Sequence, residues 1–207
     1  MKKIFITIAI IIGFVNYGQG CSDAGFCTIG DMEHTSKNTF IVATTFAKGE
    51  NKVSIFSPYL EYQRKITEKI GLQSKITAQN SSLGEISHFN VGDLFLATSY
   101  QISDKLNTFI GTKIPLSNPD TKHNSVILPM EYQASLGTFD LLLGFNYQIQ
   151  KFNLGFSYQQ PLTQNNKGYW GDYKRSADIL AKVNYNWKLN EKLTIEPSTQ
   201  LIYHLQN

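Results

Sequence analysis

The stretch that decides the fold runs from Phe139 to Tyr158 and reads Phe-Asp-Leu-Leu-Leu-Gly-Phe-Asn-Tyr-Gln-Ile-Gln-Lys-Phe-Asn-Leu-Gly-Phe-Ser-Tyr. One parity is apolar: Phe139, Leu141, Leu143, Phe145, Tyr147 and Ile149 before the polar step Gln150-Lys151, then Phe152, Leu154, Phe156 and Tyr158 after it. Successive side chains of a strand point to opposite faces, whereas a helical period of about 3.6 residues would scatter this set. The stretch therefore predicts two antiparallel strands joined by a tight turn.

Similar turns recur along the chain. The pattern aliphatic, polar, acidic, Lys, aliphatic occurs at Ile66–Ile70, Ile102–Leu106 and Leu189–Leu193. Longer polar connections lie between these turns, at residues 80–90, 117–125 and 163–175. Short turns at one end and longer loops at the other are typical of outer-membrane barrels.

The alternating segments are long enough to distinguish a membrane barrel from a soluble sandwich. They extend over about ten residues or more, as transmembrane strands require, while soluble strands average about five or six. Tyr100, Tyr147 and Trp187 precede the turns at nearly constant offsets, which predicts an aromatic belt at one membrane interface. We therefore expect an all-β fold, an antiparallel transmembrane β-barrel of the outer-membrane type with about 8–12 strands.

Counting the alternating segments gives nine strands, at about Thr39–Lys48, Val53–Ile66, Ile70–Gln79, Val91–Ile102, Leu106–Pro115, Thr138–Ile149, Phe152–Pro161, Ala177–Leu189 and Leu193–Leu205. Bacterial barrels of one chain have even strand numbers, because closure leaves no edge in lipid. Two explanations stay open: a further strand at Ser125–Gln133, or a barrel that is incomplete at the C-terminus of this chain.

The first twenty residues predict export to the outer membrane. Lys2 and Lys3 precede the apolar run Ile4–Val15, and small residues at Gly18 and Gly20 fit a cleavage site. The run is shorter than the roughly 20 residues of a membrane-spanning helix. We expect a signal peptide at 1–20, a periplasmic or surface arm at 21–37 and the β-barrel domain at 38–207.

Both cysteines lie in the predicted arm, at Cys21 and Cys27. In an oxidising compartment the pair predicts a small disulfide loop. Lipid attachment at Cys21 is the alternative. A soft-metal site with Met32 and His34 is a weaker one, because the spacing matches no standard zinc pattern, and we predict no metal and no cofactor.

In the later strands every second residue is polar, and these residues are predicted to face the barrel interior. The expected lumen-facing residues are Asp140, Asn146, Gln148, Asn153, Gln159, Asp178, Lys182, Asn184 and Lys188. They either fill a small barrel or line a polar passage, depending on strand number. Their excess of amides argues against strong ion selectivity.

Composition excludes some partners. The chain has 42% hydrophobic and 17% charged residues, and its net charge of +3 is spread out, which disfavours nucleic-acid binding. Rim pairs such as His88 with Ser81, or His123 with Ser125, match no hydrolase motif, so we predict no enzyme. The expected partners are outer-membrane lipids, a small-molecule solute and the barrel-assembly machinery during insertion.

Residues 128–140 read Leu-Pro-Met-Glu-Tyr-Gln-Ala-Ser-Leu-Gly-Thr-Phe-Asp, and Leu143-Gly144 and Tyr147 follow. This segment resembles a motif of the outer-membrane transporter family of phenol-degradation meta-pathway proteins, in which a Gly-rich stretch, an aromatic residue and Asp enter a strand. Ser135 and Leu136 depart from its usual residues. The resemblance implies passive uptake of small, hydrophobic or aromatic molecules. The alternative is a non-conducting structural or adhesive outer-membrane protein or lipoprotein.

Overall fold

The structure is a computed structural model that describes residues 26–30, 37–49, 52–165, 174–190 and 193–205. In these ranges the strands are β1 (Asn38–Lys48), β2 (Ser54–Lys65), β3 (Ile70–Leu83), β4 (Ile86–Ser103), β5 (Leu106–Pro115), β6 (Lys122–His123), β7 (Val126–Ile127), β8 (Asp140–Ile149), β9 (Phe152–Pro161), β10 (Asp178–Tyr185), β11 (Trp187–Lys188), β12 (Thr194–Ile195) and β13 (Ser198–His204). Two 3-10 turns occupy Phe26–Thr28 and Met130–Tyr132. The all-β prediction is confirmed.

Nine strands form one sheet in the order β1-β2-β3-β4-β5-β8-β9-β10-β13, and every neighbouring pair is antiparallel. The predicted hairpin at Phe139–Tyr158 is β8 and β9, with Ile149 opposite Phe152. Two other predicted turns join β2 to β3 and β4 to β5. The fourth predicted turn, at 189–193, includes residues outside those described, but the strands on either side of it pair as predicted. Trp187 lies opposite Ile195 in the small hairpin of β11 and β12, and Asn184 lies opposite Ser198 in β10 and β13.

The sheet curls into a half-barrel. Among the described strands, β1 pairs with β2 and β13 pairs with β10, so these two form the edges. Nine antiparallel strands place the first and the last in the same direction, and a direct pair between them would be parallel. Over the described residues the sheet is therefore an open half-barrel.

Two details of the predicted connections are wrong. Segment 125–133 contributes no strand to the main sheet, because Val126–Ile127 folds back on Lys122–His123 and Met130–Tyr132 is a 3-10 turn. Residues 80–90 form no long loop either. β3 and β4 continue to a tight turn at Gly84, and backbone pairing such as Ser81 with His88 holds this polar segment in the sheet.

The two faces of the sheet differ in burial and chemistry. Apolar side chains of the convex face are exposed, including Val42 (80%), Phe46 (77%) and Leu201 (69%). On the concave face many polar side chains are buried, among them Glu61, Gln63, Gln73, Lys75, Asp93, Lys113, Asp140 and Gln159. A water-soluble sheet buries its apolar face, so this distribution is inverted relative to a soluble fold.

Candidate functional site

A short segment of the N-terminal region, Phe26–Gly30, crosses the concave face. Ile29 is buried there in an apolar cluster with four side chains of the sheet: Phe95, Phe109, Leu142 and Leu180. Full burial of such an aliphatic side chain contributes about 1.5–3 kcal/mol. The described part of the predicted arm thus packs against the sheet.

Polar side chains of four strands, β3, β5, β8 and β10, bind the backbone of the same segment through hydrogen bonds. Gln73 accepts from the Gly30 amide at 2.9 Å and donates to the Thr28 carbonyl at 3.1 Å. Asn146 donates to the Gly30 carbonyl at 2.8 Å, and Lys182 donates to the Cys27 carbonyl at 3.3 Å. The sheet therefore recognises the backbone of the segment on both sides of Ile29.

The hydroxyl of Thr28 lies between two buried charges. Lys75 Nζ donates to Thr28 Oγ1 at 2.7 Å, and this hydroxyl donates to Glu61 Oε2 at 3.3 Å. Gln63 and Gln73 also donate to Glu61 Oε1. The hydroxyl completes a charged hydrogen-bond network that burial would make costly to leave incomplete.

Gly30 is required by this close approach. Its φ is +88°, a left-handed conformation that side chains disfavour, and a Cβ atom here would overlap the ring of Phe109. A residue with a side chain at this position would push the segment away from the sheet.

A second concave cluster is ionic. Asp140 Oδ2 lies 2.9 Å from Lys113 Nζ and 2.5 Å from Arg175 Nη1, and Gln159 donates to the same oxygen. Arg175 also pairs with Asp178 at 3.0 Å, and His204 Nδ1 lies 2.6 Å from the other Asp178 oxygen. The cluster ties β5, β8, β9, β10 and β13 together.

The connection from β5 to β8, residues 116–139, covers one end of the concave face. Gln79 and Ser81 both donate to the Glu131 carbonyl, and Ser135 donates to Asp93. Tyr132 packs with Val53 and Ile55. Burial, with the nearby Glu131 charge, raises the pKa of Tyr132 above its usual value of 10.0. We name residues 116–139 the cap.

The predicted lumen-facing residues divide into three groups. Asp140, Gln159, Asp178 and Asn184 are buried. Asn146, Asn153 and Lys182 are half-buried on the same face. Gln148 is exposed at the end of β8, and Lys188 is exposed in β11, outside the main sheet. The structure thus brings together Asp140, Gln159 and Asp178 in one cluster, and Asn146 and Lys182 at the segment 26–30.

The three predicted belt residues are all exposed. Tyr100 lies on β4 and Tyr147 on β8, whereas Trp187 lies on β11 in the small hairpin. Their depth in a bilayer stays a prediction.

The predicted cysteine pair lies partly outside the described residues. Cys27 is half-buried beside the apolar cluster, while Cys21, Met32 and His34 belong to the ranges left out above. Within the part of the chain that the structure describes, no three His, Cys, Asp or Glu side chains gather as a metal site.

The rings of the two rim histidines contact each other, and His88 is also the cross-strand partner of Ser81. The rings of His88 and His123 are 5.7 Å apart, edge to face, and His88 also contacts the ring of Tyr132. The Ser81 hydroxyl donates to the Glu131 carbonyl. The described contacts of this serine are therefore structural, with the cap.

Sequence reasoning missed the first half of the concave face and the apolar cluster. Glu61 and Gln63 share one parity of β2, opposite Leu60 and Tyr62, so parity could have placed them. No local pattern predicts that Ile29 packs in the apolar cluster, because the residues that it contacts are far apart in the sequence.

The chain matches no protein-family model and no curated protein. Across the described ranges, no helix has the length and apolar character needed to cross a membrane.

Proposed function

We propose that this chain is an exported outer-membrane β-barrel protein whose concave face lines a passage for small solutes that cross by diffusion. The observation that carries the proposal is the inverted sheet: exposed apolar side chains on the convex face and buried polar side chains on the concave face. Hydrocarbon would cover the first, and a wetter interior would solvate the second.

Strand length supports residence in a bilayer. Strands β1 to β5, β8 and β9 have 10 to 18 residues. A transmembrane strand needs about 9–11 residues. Aromatic pairs on the convex face, such as Phe40 with Tyr62 and Phe145 with Phe156, would lie against lipid.

The resemblance of residues 128–140 to the transporter family supports transport as the role. This segment forms the later part of the cap, where Gln133 and Ser135 are fully buried. Because the cap lies over the concave face, changes in its packing would alter access to the interior. Small, hydrophobic or aromatic molecules are the solutes that the resemblance suggests.

The second candidate is a non-conducting barrel or surface lipoprotein with a structural or adhesive role. The observation that favours it is the filled concave face, since segment 26–30 and the cap occupy much of it. Metabolic labelling with palmitate tests the lipoprotein version. Loss of label in Cys21→Ser would support it, and no label on the wild type would exclude it.

The test compares wild-type protein with Gly30→Ala in planar bilayers and in solute-loaded liposomes. The added methyl group overlaps Phe109 and displaces segment 26–30, so a passage predicts greater conductance and solute flux in the variant. Gly84→Ala is the matched control, because Gly84 also has a positive φ of 59° but its Cβ would meet no atom within 4 Å.

Equal flux in Gly84→Ala and wild type, with higher flux in Gly30→Ala, would support the passage. Bilayer-integrated protein with no conductance in any of the three would contradict it and favour the non-conducting barrel.

A further inference from the structure

We infer that the concave face contains a binding site for short, neutral, peptide-like molecules, in which a hydroxyl and a branched aliphatic group flank an amide. The inference rests on the proposed function, and it assigns to the passage amide-bearing solutes with an aliphatic group in place of the hydrophobic or aromatic solutes that the resemblance suggests. Residues 27–30 occupy this site in the structure, and their contacts define the chemistry that it accepts.

The aliphatic part of the site is a pocket in an otherwise polar wall. Phe95 and Leu142 are fully buried, and Phe109 and Leu180 are nearly so, all packed around Ile29. An apolar pocket with a few convergent polar groups is the usual composition of a small-molecule site. A branched aliphatic side chain fills it here.

The amide part of the site pairs with both the N–H and the C=O groups of a peptide backbone. Gln73 presents its oxygen to the Gly30 N–H and its nitrogen to the Thr28 carbonyl, so a single side chain pairs with a donor and an acceptor. Asn107 and Asn146 both donate to the Gly30 carbonyl, at 3.4 and 2.8 Å. An amide-bearing solute satisfies these groups, whereas a pure hydrocarbon leaves them without partners.

The hydroxyl part of the site is set by Lys75 and Glu61. The Lys75 ammonium lies 3.7 Å from the centroid of the Tyr59 ring and donates to Thr28 Oγ1, which in turn donates to Glu61. A group between the Lys75 ammonium and the Glu61 carboxylate must accept a hydrogen bond from the first and donate one to the second. A hydroxyl does both. This preference would exclude an otherwise similar ligand that has a methyl group there.

The close fit at Gly30 limits the size of the ligand. The ring of Phe109 leaves no room for a Cβ atom at this position, so the residue after the aliphatic one must be glycine or an unsubstituted amide. The site thus predicts a specific difference between two peptides that differ by one methyl group.

The experiment measures binding of N-acetyl-Thr-Ile-Gly-amide to the refolded full chain in detergent micelles by saturation-transfer NMR and calorimetry. Gly30→Ala should bind it roughly tenfold more tightly than wild type or more, because the wild-type site is occupied by its own segment. Hydrogen exchange of the peptide fragment containing residues 26–30 reports whether the segment has left. Ile29→Asp is a second route to release, should exchange show that the alanine variant retains the segment.

Two controls test specificity. N-acetyl-Thr-Ile-Ala-amide should bind poorly, because its methyl group meets Phe109. Adding Asn146→Ala to the released variant should weaken binding of the glycine peptide by about twofold to tenfold, the value of one hydrogen bond. Asn153→Ala, on the same face but outside the hydrogen bonds described for the segment, should leave binding unchanged.

No saturable binding to a variant whose segment has been released would overturn the inference, as would equal binding of the glycine and alanine peptides. These results are independent of solute flux. Flux without peptide binding would overturn this inference alone, and peptide binding without flux would overturn only the passage.

Discussion

At the scale of single residues, Asp140 is the most constrained side chain of the ionic cluster. One of its oxygens accepts from Lys113, Arg175 and Gln159, and the residue is fully buried. Removing the carboxylate breaks the buried ion pairs of Asp140 with Lys113 and Arg175, and loss of one partner of such a pair typically costs about 3–5 kcal/mol. We therefore expect Asp140→Ala to lower the free energy of unfolding by about that amount, measured by urea unfolding in micelles.

The control for this prediction is Asp104→Ala, in the exposed turn between β4 and β5. Its unfolding free energy should stay within about 0.5 kcal/mol of wild type. An Asp140→Ala variant as stable as the control would show that the buried pairs contribute nothing net.

Tyr132 gives the cap a dependence on alkaline pH. Burial raises the pKa of its phenol in the folded protein, so the neutral form is favoured by folding. The corresponding stability is fully present below the usual pKa of 10.0 and is lost as pH rises through the higher folded value. Ultraviolet titration should show one late-ionising tyrosine that is missing in Tyr132→Phe. Identical titration curves for the two proteins would contradict this.

At the scale of elements, adjacent residues of β8 lie on opposite faces of the sheet, and these faces differ in chemistry. Phe145 is 42% exposed on the convex face, and Asn146 points to the concave face, where it binds Gly30. A cationic residue facing hydrocarbon costs about 2–4 kcal/mol near the bilayer midplane. Phe145→Arg should therefore reduce the fraction of protein that folds into liposomes, read by protease protection.

Asn146→Arg is the comparison, because it places the same charge about 3.3 Å along the strand on the opposite face. This variant should insert as wild type does, although the hydrogen bond from Asn146 to segment 26–30 is lost. Equal insertion defects in both variants would remove the distinction between the two faces.

Local periodicity was sufficient to predict the strands. The bounds of β5 and β9 agree with the segments Leu106–Pro115 and Phe152–Pro161 read from alternation alone. Periodicity gave a wrong prediction at residues 80–90, where Asn and Ser residues are typical of a loop although cross-strand pairing continues. Local composition indicates how exposed a segment is to solvent. Whether a hairpin extends beyond its apolar residues depends on pairing with the partner strand, which composition does not indicate.

The interior of the candidate site was only partly predictable. Asp140, Asn146 and Lys182 follow from parity, because they lie on the polar side of strongly alternating strands. Leu142 and Leu180 share that parity but are apolar. Their place on the polar side is explained only by the structure, in which both pack in one cluster with Ile29. Contacts over such sequence distances depend on tertiary packing, which no local pattern encodes.

At the scale of the whole molecule, charge on the concave face is balanced. In the described part of the chain, the buried or half-buried charged side chains of this face include four cations, Lys75, Lys113, Arg175 and Lys182, and four anions, Glu61, Asp93, Asp140 and Asp178. A passage with such a wall has no dominant field of one sign. Conductance through Gly30→Ala in a potassium chloride gradient should reverse near zero voltage. A reversal potential close to that of an ideal cation or anion electrode would contradict the prediction.

Spin labels placed one at a time along Leu141–Tyr147, with Cys21 and Cys27 replaced by serine, would show whether the convex face of the half-barrel contacts hydrocarbon. In liposomes, collision with oxygen should be high at Leu141, Leu143, Phe145 and Tyr147 and low at Leu142, Gly144 and Asn146. Collision with a water-soluble nickel complex should be low at the first four positions. High access of the nickel complex at those four positions would contradict contact of the convex face with hydrocarbon.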